Sequence, residues 1–306
     1  MSKNQNVAFF GTSDRSIPIL NALKENFNLA LVVTKANRKV GRKQTLTEVA
    51  VKTWAKVNKV TYLEIKSIKE SRDDIIKLLT DKEVAIGVVA DFSFMIPRVI
   101  IDTPTYKLIN IHFSLLPKYR GASPVQHAIL NGETTTGITY YIMDKGMDTG
   151  NILTLEPYEI NQNVKSGELY KLMFEHAAEI LPTVLENYMS GELVPKGQDE
   201  SNATYCYSKT NPTTTHIEKE DAKIDWSLSP IQIHNHIRAY NPWPIAWTTL
   251  GEIPFICLKP SKLSQTQLKV MDSEIVEGKL VIKEVQLPGK KRTDWQSFLN
   301  GYTVTN

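Results

Sequence analysis

The chain has 306 residues, 42% of them hydrophobic and 23% charged, with a formal net charge of +3. That is the balance of an ordinary globular domain or pair of domains with ample core. No apolar stretch is long enough to cross a bilayer and the start, MSKNQNVAFFG, lacks a signal-peptide pattern, so a membrane role is excluded and a cytoplasmic location expected. Cys206 and Cys257 are too few for a disulfide framework and are not spaced for a metal site.

Val7–Phe10 reads as a first strand, closed by the turn Gly11-Thr12-Ser13-Asp14, with a helix over Ser16–Asn26 and a second buried strand over Leu29–Thr34. Strand–helix–strand at the start predicts a parallel, Rossmann-like sheet. GTSDRS has one glycine where a dinucleotide fingerprint needs three, so the turn is expected to shape a substrate cleft instead. Between Thr34 and Thr47 lie Lys35, Arg38, Lys39, Arg42 and Lys43 with no acidic residue among them. Two readings stay open for this run: a solvated loop, or an arm that grips phosphates.

A helix over Glu48–Lys56, a strand over Val60–Leu63 and a charged helix near Glu70–Thr80 follow. Glu83–Phe92 is a nearly continuous apolar run, as a central strand buried on both faces requires. Leu108–Ile111 reads as the next buried strand, and Asn110 and His112, two apart, project to one side of it. Pro117 ends that strand, and the turn-forming run Tyr119–Ser123 leads into a helix at Pro124. A second apolar run, Gly137–Met143, delivers Asp144 and then Asp148 within MDKGMDTG. An amide, an imidazole and a carboxylate thus arrive at strand ends, a set suited to proton transfer and oxyanion stabilisation at a carbonyl.

Asn151–Ile160 is expected to pair with Gly137–Met143, and Ser166–Met189 has helical spacing, with a kink expected at Pro182. The polar run Lys196–Asn202 looks like a linker. Beyond it the pattern changes to a helix over Pro230–Tyr240 and short strands over Ala246–Leu250, Phe255–Leu258, Leu268–Val270 and Lys279–Val285. A last helix covers Trp295–Leu299. Short strands with turn signals suggest a small β-barrel. From Tyr205 onward twelve Lys/Arg face ten Asp/Glu, so any nucleic-acid face there rests on local placement, with Lys290, Lys291 and Arg292 the best candidates. His234 and His236, two apart on a helix, face different directions and are not read as a metal pair.

The sequence N-x-H, then SLLP-x-x-R-G, then D-x-G-x-D-T-G resembles the formyltransferases that use 10-formyltetrahydrofolate. KIDWS, IRAYNPWPIAW and LPGKK resemble the C-terminal domain of the methionyl-tRNA formyltransferases. The resemblance runs from Phe10 to Leu299. It implies an α/β fold, a Rossmann-like mostly parallel sheet domain followed by a small OB-like β-barrel domain. The divisions expected are a catalytic domain over 1–195, a linker over 196–208 and a tRNA-binding domain over 209–306.

Carried onto this sequence, the resemblance makes Asn110, His112 and Asp148 catalytic and places Phe92, Ser93, Ser114, Leu115, Leu116 and Pro117 at the folate. It puts Arg38, Arg42, Lys43, Lys290 and Lys291 against tRNA. Asp91-Phe92-Ser93-Phe94 departs from the family's Tyr-Gly at that place, and Asp91 is left between pointing into the folate pocket and capping the next helix. The implied activity is formyl transfer to methionyl initiator tRNA, with no metal and by a monomer. The alternative is a folate-dependent enzyme with another amine acceptor, such as an amino-sugar nucleotide.

Overall fold

The computed structural model describes residues 5–40, 45–256 and 263–302. It divides into two compact units: Met1–Arg120, Gly137–Tyr158 and Tyr170–Thr204 in the first, and Gly121–Thr136, Glu159–Leu169 and Tyr205–Asn306 in the second.

In chain order the first 112 residues give β1 (Asn6–Phe10), α1 (Ile17–Asn26), β2 (Asn28–Lys35), β3 (Arg38–Val40), β4 (Thr45–Thr47), α2 (Ala50–Val57), β5 (Tyr62–Ile65), α3 (Ile68–Asp81), β6 (Ile86–Val89), α4 (Arg98–Ile101) and β7 (Leu108–His112). Then come α5 (Pro124–Leu130), β8 (Thr135–Ile142), β9 (Ile152–Glu159) and α6 (Ser166–Ser190), the last running through Pro182 as one helix. The seven-stranded sheet has the order β5-β2-β1-β6-β7-β8-β9. Its strands are parallel from β5 to β7, and β8 runs antiparallel to β7. Val7 to Phe10 and Ile86 to Val89 are buried on both faces of the sheet, which is why these segments read as unbroken apolar runs. From β1 the chain moves outward to β2 and β5, then crosses back to β6 on the other side of β1. That reversal of order is where open α/β sheets form a crevice beyond the strand carboxyl ends.

In the first unit two segments differ from their sequence reading. The central strand is four residues long, not ten, because the chain is still turning at Glu83 (φ +47°) and turns away again at Asp91 (φ +51°). The basic segment carries a two-stranded antiparallel hairpin, β3 against β4, where a loop was expected.

In the second unit, α7 (Pro230–Ala239), β10 (Trp247–Thr249), β11 (Gln267–Val276), β12 (Lys279–Gln286), β13 (Thr293–Asp294) and α8 (Trp295–Tyr302) complete the fold. β10 to β13 form a four-stranded antiparallel sheet in that order. Of the expected strand Phe255–Leu258, Phe255 lies in a turn, and 257–258, with Cys257, fall outside the described residues. Helix α7 is buried along its polar side as well as its apolar one, with His234, Asn235, His236 and Arg238 all inside. The Arg238 guanidinium donates to the carbonyls of Asn161 and Val164 (3.3 and 3.4 Å), and the Ser166 hydroxyl donates to the Asn241 carbonyl (2.8 Å). These bonds draw 159–169 into this unit. The apolar side of α7 joins Leu268, Val270, Ile282, Val285 and Phe298 in one core. His234 bonds Ser273 and the Gln162 carbonyl, structural partners that occupy both ring nitrogens.

Candidate active site

β7 ends on His112 at the carboxyl edge of the sheet, and β8 runs back beside it with Tyr141 directly opposite Asn110. Directly opposed residues of an antiparallel pair share a face, and here the side chains bond. The Asn110 amide Nδ2 donates to the Tyr141 hydroxyl (2.9 Å), which donates to Asp148 Oδ1 (2.7 Å). The other carboxylate oxygen, Oδ2, lies 3.7 Å from His112 Nδ1. His112 Nε2 bonds the Tyr119 carbonyl (3.0 Å). The structure therefore brings Asn110, His112 and Asp148 together, joined by a residue the sequence reading passed over. Tyr141 stood inside an apolar run, and only the register of β8 against β7 gives its hydroxyl a task.

Tyr141 is 2% exposed. Burial, with the Asp148 charge and hydrogen bond added, pushes its phenol well above the ordinary value. It therefore stays protonated and remains a donor to Asp148. Asn110 has two amide hydrogens; one meets Tyr141, and the same group can present the other to a developing oxyanion.

The turn carrying Asp148 is built by its neighbours. Asp144 Oδ1 accepts from Gly146 N (2.9 Å) and Thr149 Oγ1 (2.7 Å), which folds MDKGMDT on itself. Asp148 is held at φ +56°, a conformation that ordinary side chains disfavour. Gly150 permits the return of the chain, since a Cβ there would lie 1.8 Å from the Ile142 carbonyl oxygen.

The SLLP loop is fixed in the same way. Ser114 Oγ donates to the Lys118 carbonyl (2.6 Å), Thr139 Oγ1 donates to the Ser114 carbonyl (2.6 Å), and Leu116 N donates to Thr139 Oγ1 (3.1 Å). Leu116 is buried, Leu115 packs over Gly137, and the Leu116–Pro117 peptide is cis. The hydroxyl of Ser114 and the side chain of Leu116 thus hold the loop, and most of its backbone groups are bonded within the protein. Phe92 stacks edge-on between Phe10 and Phe94 (centroids 5.7 and 5.4 Å), and Ser93 Oγ accepts from Lys35 Nζ (3.4 Å).

Asp91 does not cap the next helix. Its Oδ2 accepts from Ser13 Oγ (2.5 Å) and Arg15 (2.7 Å), tying the end of β6 to the turn after β1, while Pro97 occupies the cap of α4.

Of the basic residues, Arg38 begins β3, whereas Arg42 and Lys43 lie outside the described residues. Lys290 and Lys291 are exposed on the turn between β12 and β13, and the neighbouring Arg292 pairs with Glu284 (3.6 Å). Among the described residues no group of three or more His, Cys, Asp or Glu side chains is arranged to hold a metal ion. None of their helices is long and apolar enough to cross a membrane.

Residues 5–185 match the formyl transferase family model, and residues 216–303 match the formyl transferase C-terminal domain. The chain belongs to the formyl transferase family. It is 35% identical over 309 residues to the methionyl-tRNA formyltransferase of Clostridium novyi (strain NT), covering 97% of each chain. It is likewise 35% identical over 308 residues to that of Bacillus cereus (strain B4264), covering 96% of this chain and 95% of the other. Among solved structures of the same fold are the Clostridium thermocellum methionyl-tRNA formyltransferase (18% identity, TM-score 0.59, 92% and 98% covered) and a Helicobacter canadensis N-formyltransferase in complex with folinic acid and dTDP-3-aminofucose (21%, TM-score 0.60, 92% and 99%). Asn110 of the N-x-H motif and Asp148 of D-x-G-x-D-T-G meet at the Tyr141 hydroxyl, and His112 lies 3.7 Å from the other Asp148 oxygen.

Proposed function

We propose that the chain transfers the formyl group of 10-formyltetrahydrofolate to the amino group of methionyl initiator tRNA. One observation carries the chemistry: Asn110, Tyr141, Asp148 and His112 form one contiguous set at the carboxyl ends of the sheet. Full-length likeness to methionyl-tRNA formyltransferases favours tRNA as acceptor over an amino-sugar nucleotide.

In this reading the attacking amine adds to the formyl carbonyl, and Asn110 donates its second amide hydrogen to the oxygen that becomes negative. His112 gives its Nε2–H to the Tyr119 carbonyl, so it is a second donor at that oxygen when protonated, through Nδ1. Asp148 takes the proton released by the amine, directly or through a water, with its carboxylate oriented by the Tyr141 hydroxyl. The proton then passes to the departing folate nitrogen. None of these steps requires a nucleophilic side chain. The folate lies against Phe92 and Ser93 and against the loop of Ser114, Leu115, Leu116 and Pro117. Arg38, Arg42 and Lys43 on one side, and Lys290 and Lys291 on the second unit, take tRNA phosphates. The division of labour is catalysis by the first unit, which includes 170–204, and tRNA binding by the second, in a cytoplasmic monomer.

The test supplies the enzyme with 10-formyltetrahydrofolate and either charged initiator tRNA or an amino-sugar nucleotide. Formylmethionyl-tRNA as the main product is the expected result; preferential formylation of the sugar would replace the acceptor.

A further inference from the structure

Lys196 to Thr204 is polar in sequence, yet it is bonded at both ends to the site loops. Lys196 and Ile152 exchange both backbone hydrogen bonds (2.8 and 2.9 Å). Thr204 N donates to the Pro117 carbonyl (3.2 Å), and its carbonyl accepts from Arg120 N (2.8 Å). Thr204 Oγ1 accepts from Tyr119 N (2.8 Å), beside the carbonyl that holds His112. Between these anchors, the Gln198 amide Nε2 donates to the carbonyls of Asp148 and Gly150, both at 2.8 Å. Its Oε1 accepts from Arg120 Nε (3.2 Å) and from an Arg120 terminal nitrogen (2.7 Å). A primary amide has two donor hydrogens and two acceptor positions, and all four are in use.

Arg120 is fully buried and also makes a two-pronged pair with Glu200 (2.8 and 2.7 Å). The guanidinium fork is rigid and planar, so it fixes the amide plane of Gln198. That amide in turn grips the two carbonyls on either side of Thr149. Asp148, at φ +56°, stays in a disfavoured conformation only where its surroundings over-determine it.

We propose that Gln198 is a positioning residue for the formyl transfer: braced by Arg120, it clamps the backbone on both sides of Thr149 and sets the direction of the Asp148 carboxylate. The inference rests on the reading of Asp148 as the proton acceptor. A carboxylate displaced by even about an ångström loses much of the advantage of a fixed geometry, which can reach on the order of 10²-fold in rate.

Gln198→Glu keeps the shape and the acceptor for Arg120 but removes the donor to the two carbonyls; Gln198→Met keeps the length and adds no charge. Both are measured in the full chain beside wild type and Asp148→Asn, with kcat, KM for each substrate, folate affinity by titration and melting temperature. The expected result is a kcat lower by roughly 10- to 100-fold in both variants, with KM and folate affinity within about threefold and melting within a few degrees. If Gln198→Glu fails to fold, Gln198→Met decides alone. A kcat within twofold of wild type, or a loss shared equally by folate affinity and melting temperature, overturns the proposal. An active Asp148→Asn would overturn the reading of Asp148 itself, whatever Gln198 does.

Discussion

The Tyr141 hydroxyl links two of the candidate site residues. It receives a hydrogen bond from Asn110 and gives one to Asp148, so it fixes an amide and a carboxylate relative to each other. Tyr141→Phe keeps the ring in its buried place and removes only that joint. A hydrogen bond to a charged group contributes about 1.5–3 kcal/mol, so kcat should fall by roughly tenfold or more with folate affinity nearly unchanged. Steady-state kinetics beside a folate titration check this, and an unchanged kcat would leave Tyr141 as core packing. Asp221, in the second unit, makes a separate prediction. Its carboxylate, 2% exposed, accepts from Ser208 Oγ, Thr210 N, Thr210 Oγ1 and Glu218 N at 2.7–2.9 Å. Burial alone would raise its pKa, but these bonds outweigh burial and hold it below the ordinary carboxylate value. A depressed folded-state pKa gives stability that is present above the unfolded value of about 3.9 and is lost as pH falls through the folded one. Asp221→Asn should therefore lower the melting temperature at pH 7, by about 1–3 kcal/mol of stability, and the gap to wild type should narrow towards pH 3. A gap constant with pH would contradict the assignment.

At the scale of elements, period and composition located nearly every strand of the large sheet, because strands buried on both faces must be apolar throughout. The same signal overran at Glu83–Phe92: an apolar run does not mark where the backbone turns, and the turn at Asp91 rests on its pairing with Ser13 and Arg15, about 75 residues away in sequence. Asn110, His112 and Asp148 were singled out from their motifs, and the fold places them close together. Tyr141 and Gln198 were not singled out, because their partners are set by strand register and by a return of the chain over 48 to 78 residues. Element packing also bears on truncation. Val125, Ala128 and Ile129 of α5 are buried, and α5 packs against α7 within the second unit. A fragment ending at Thr204 would expose that face, so it should melt well below the full chain and bind a hydrophobic dye. Calorimetry beside dye binding tests this; a fragment as stable as the whole would mean that α5 does not depend on α7.

For the whole molecule, the basic residues set the expectation with tRNA. Formylation of charged tRNA should weaken steeply with added salt if several phosphates are neutralised, whereas folate binding should respond far less. Replacing Lys290 and Lys291 together by Ala should raise KM for tRNA and flatten that salt slope, with kcat at saturation kept; equal slopes would remove these lysines from the interface. The chemistry is tested most directly by a cycle of His112→Ala, Asp148→Asn and the double variant, read as single-turnover formyl transfer to charged initiator tRNA with folate affinity measured alongside. Removing a member of such a set typically lowers the rate by about 10²–10³-fold. Residues that act as one unit lose little more when both are gone. The expected result is that each single variant is slowed to that extent, the double is about as slow as the slower single, and all three bind folate. Near-wild-type transfer by Asp148→Asn, or losses that simply multiply in the double variant, would contradict a shared His112–Asp148 site.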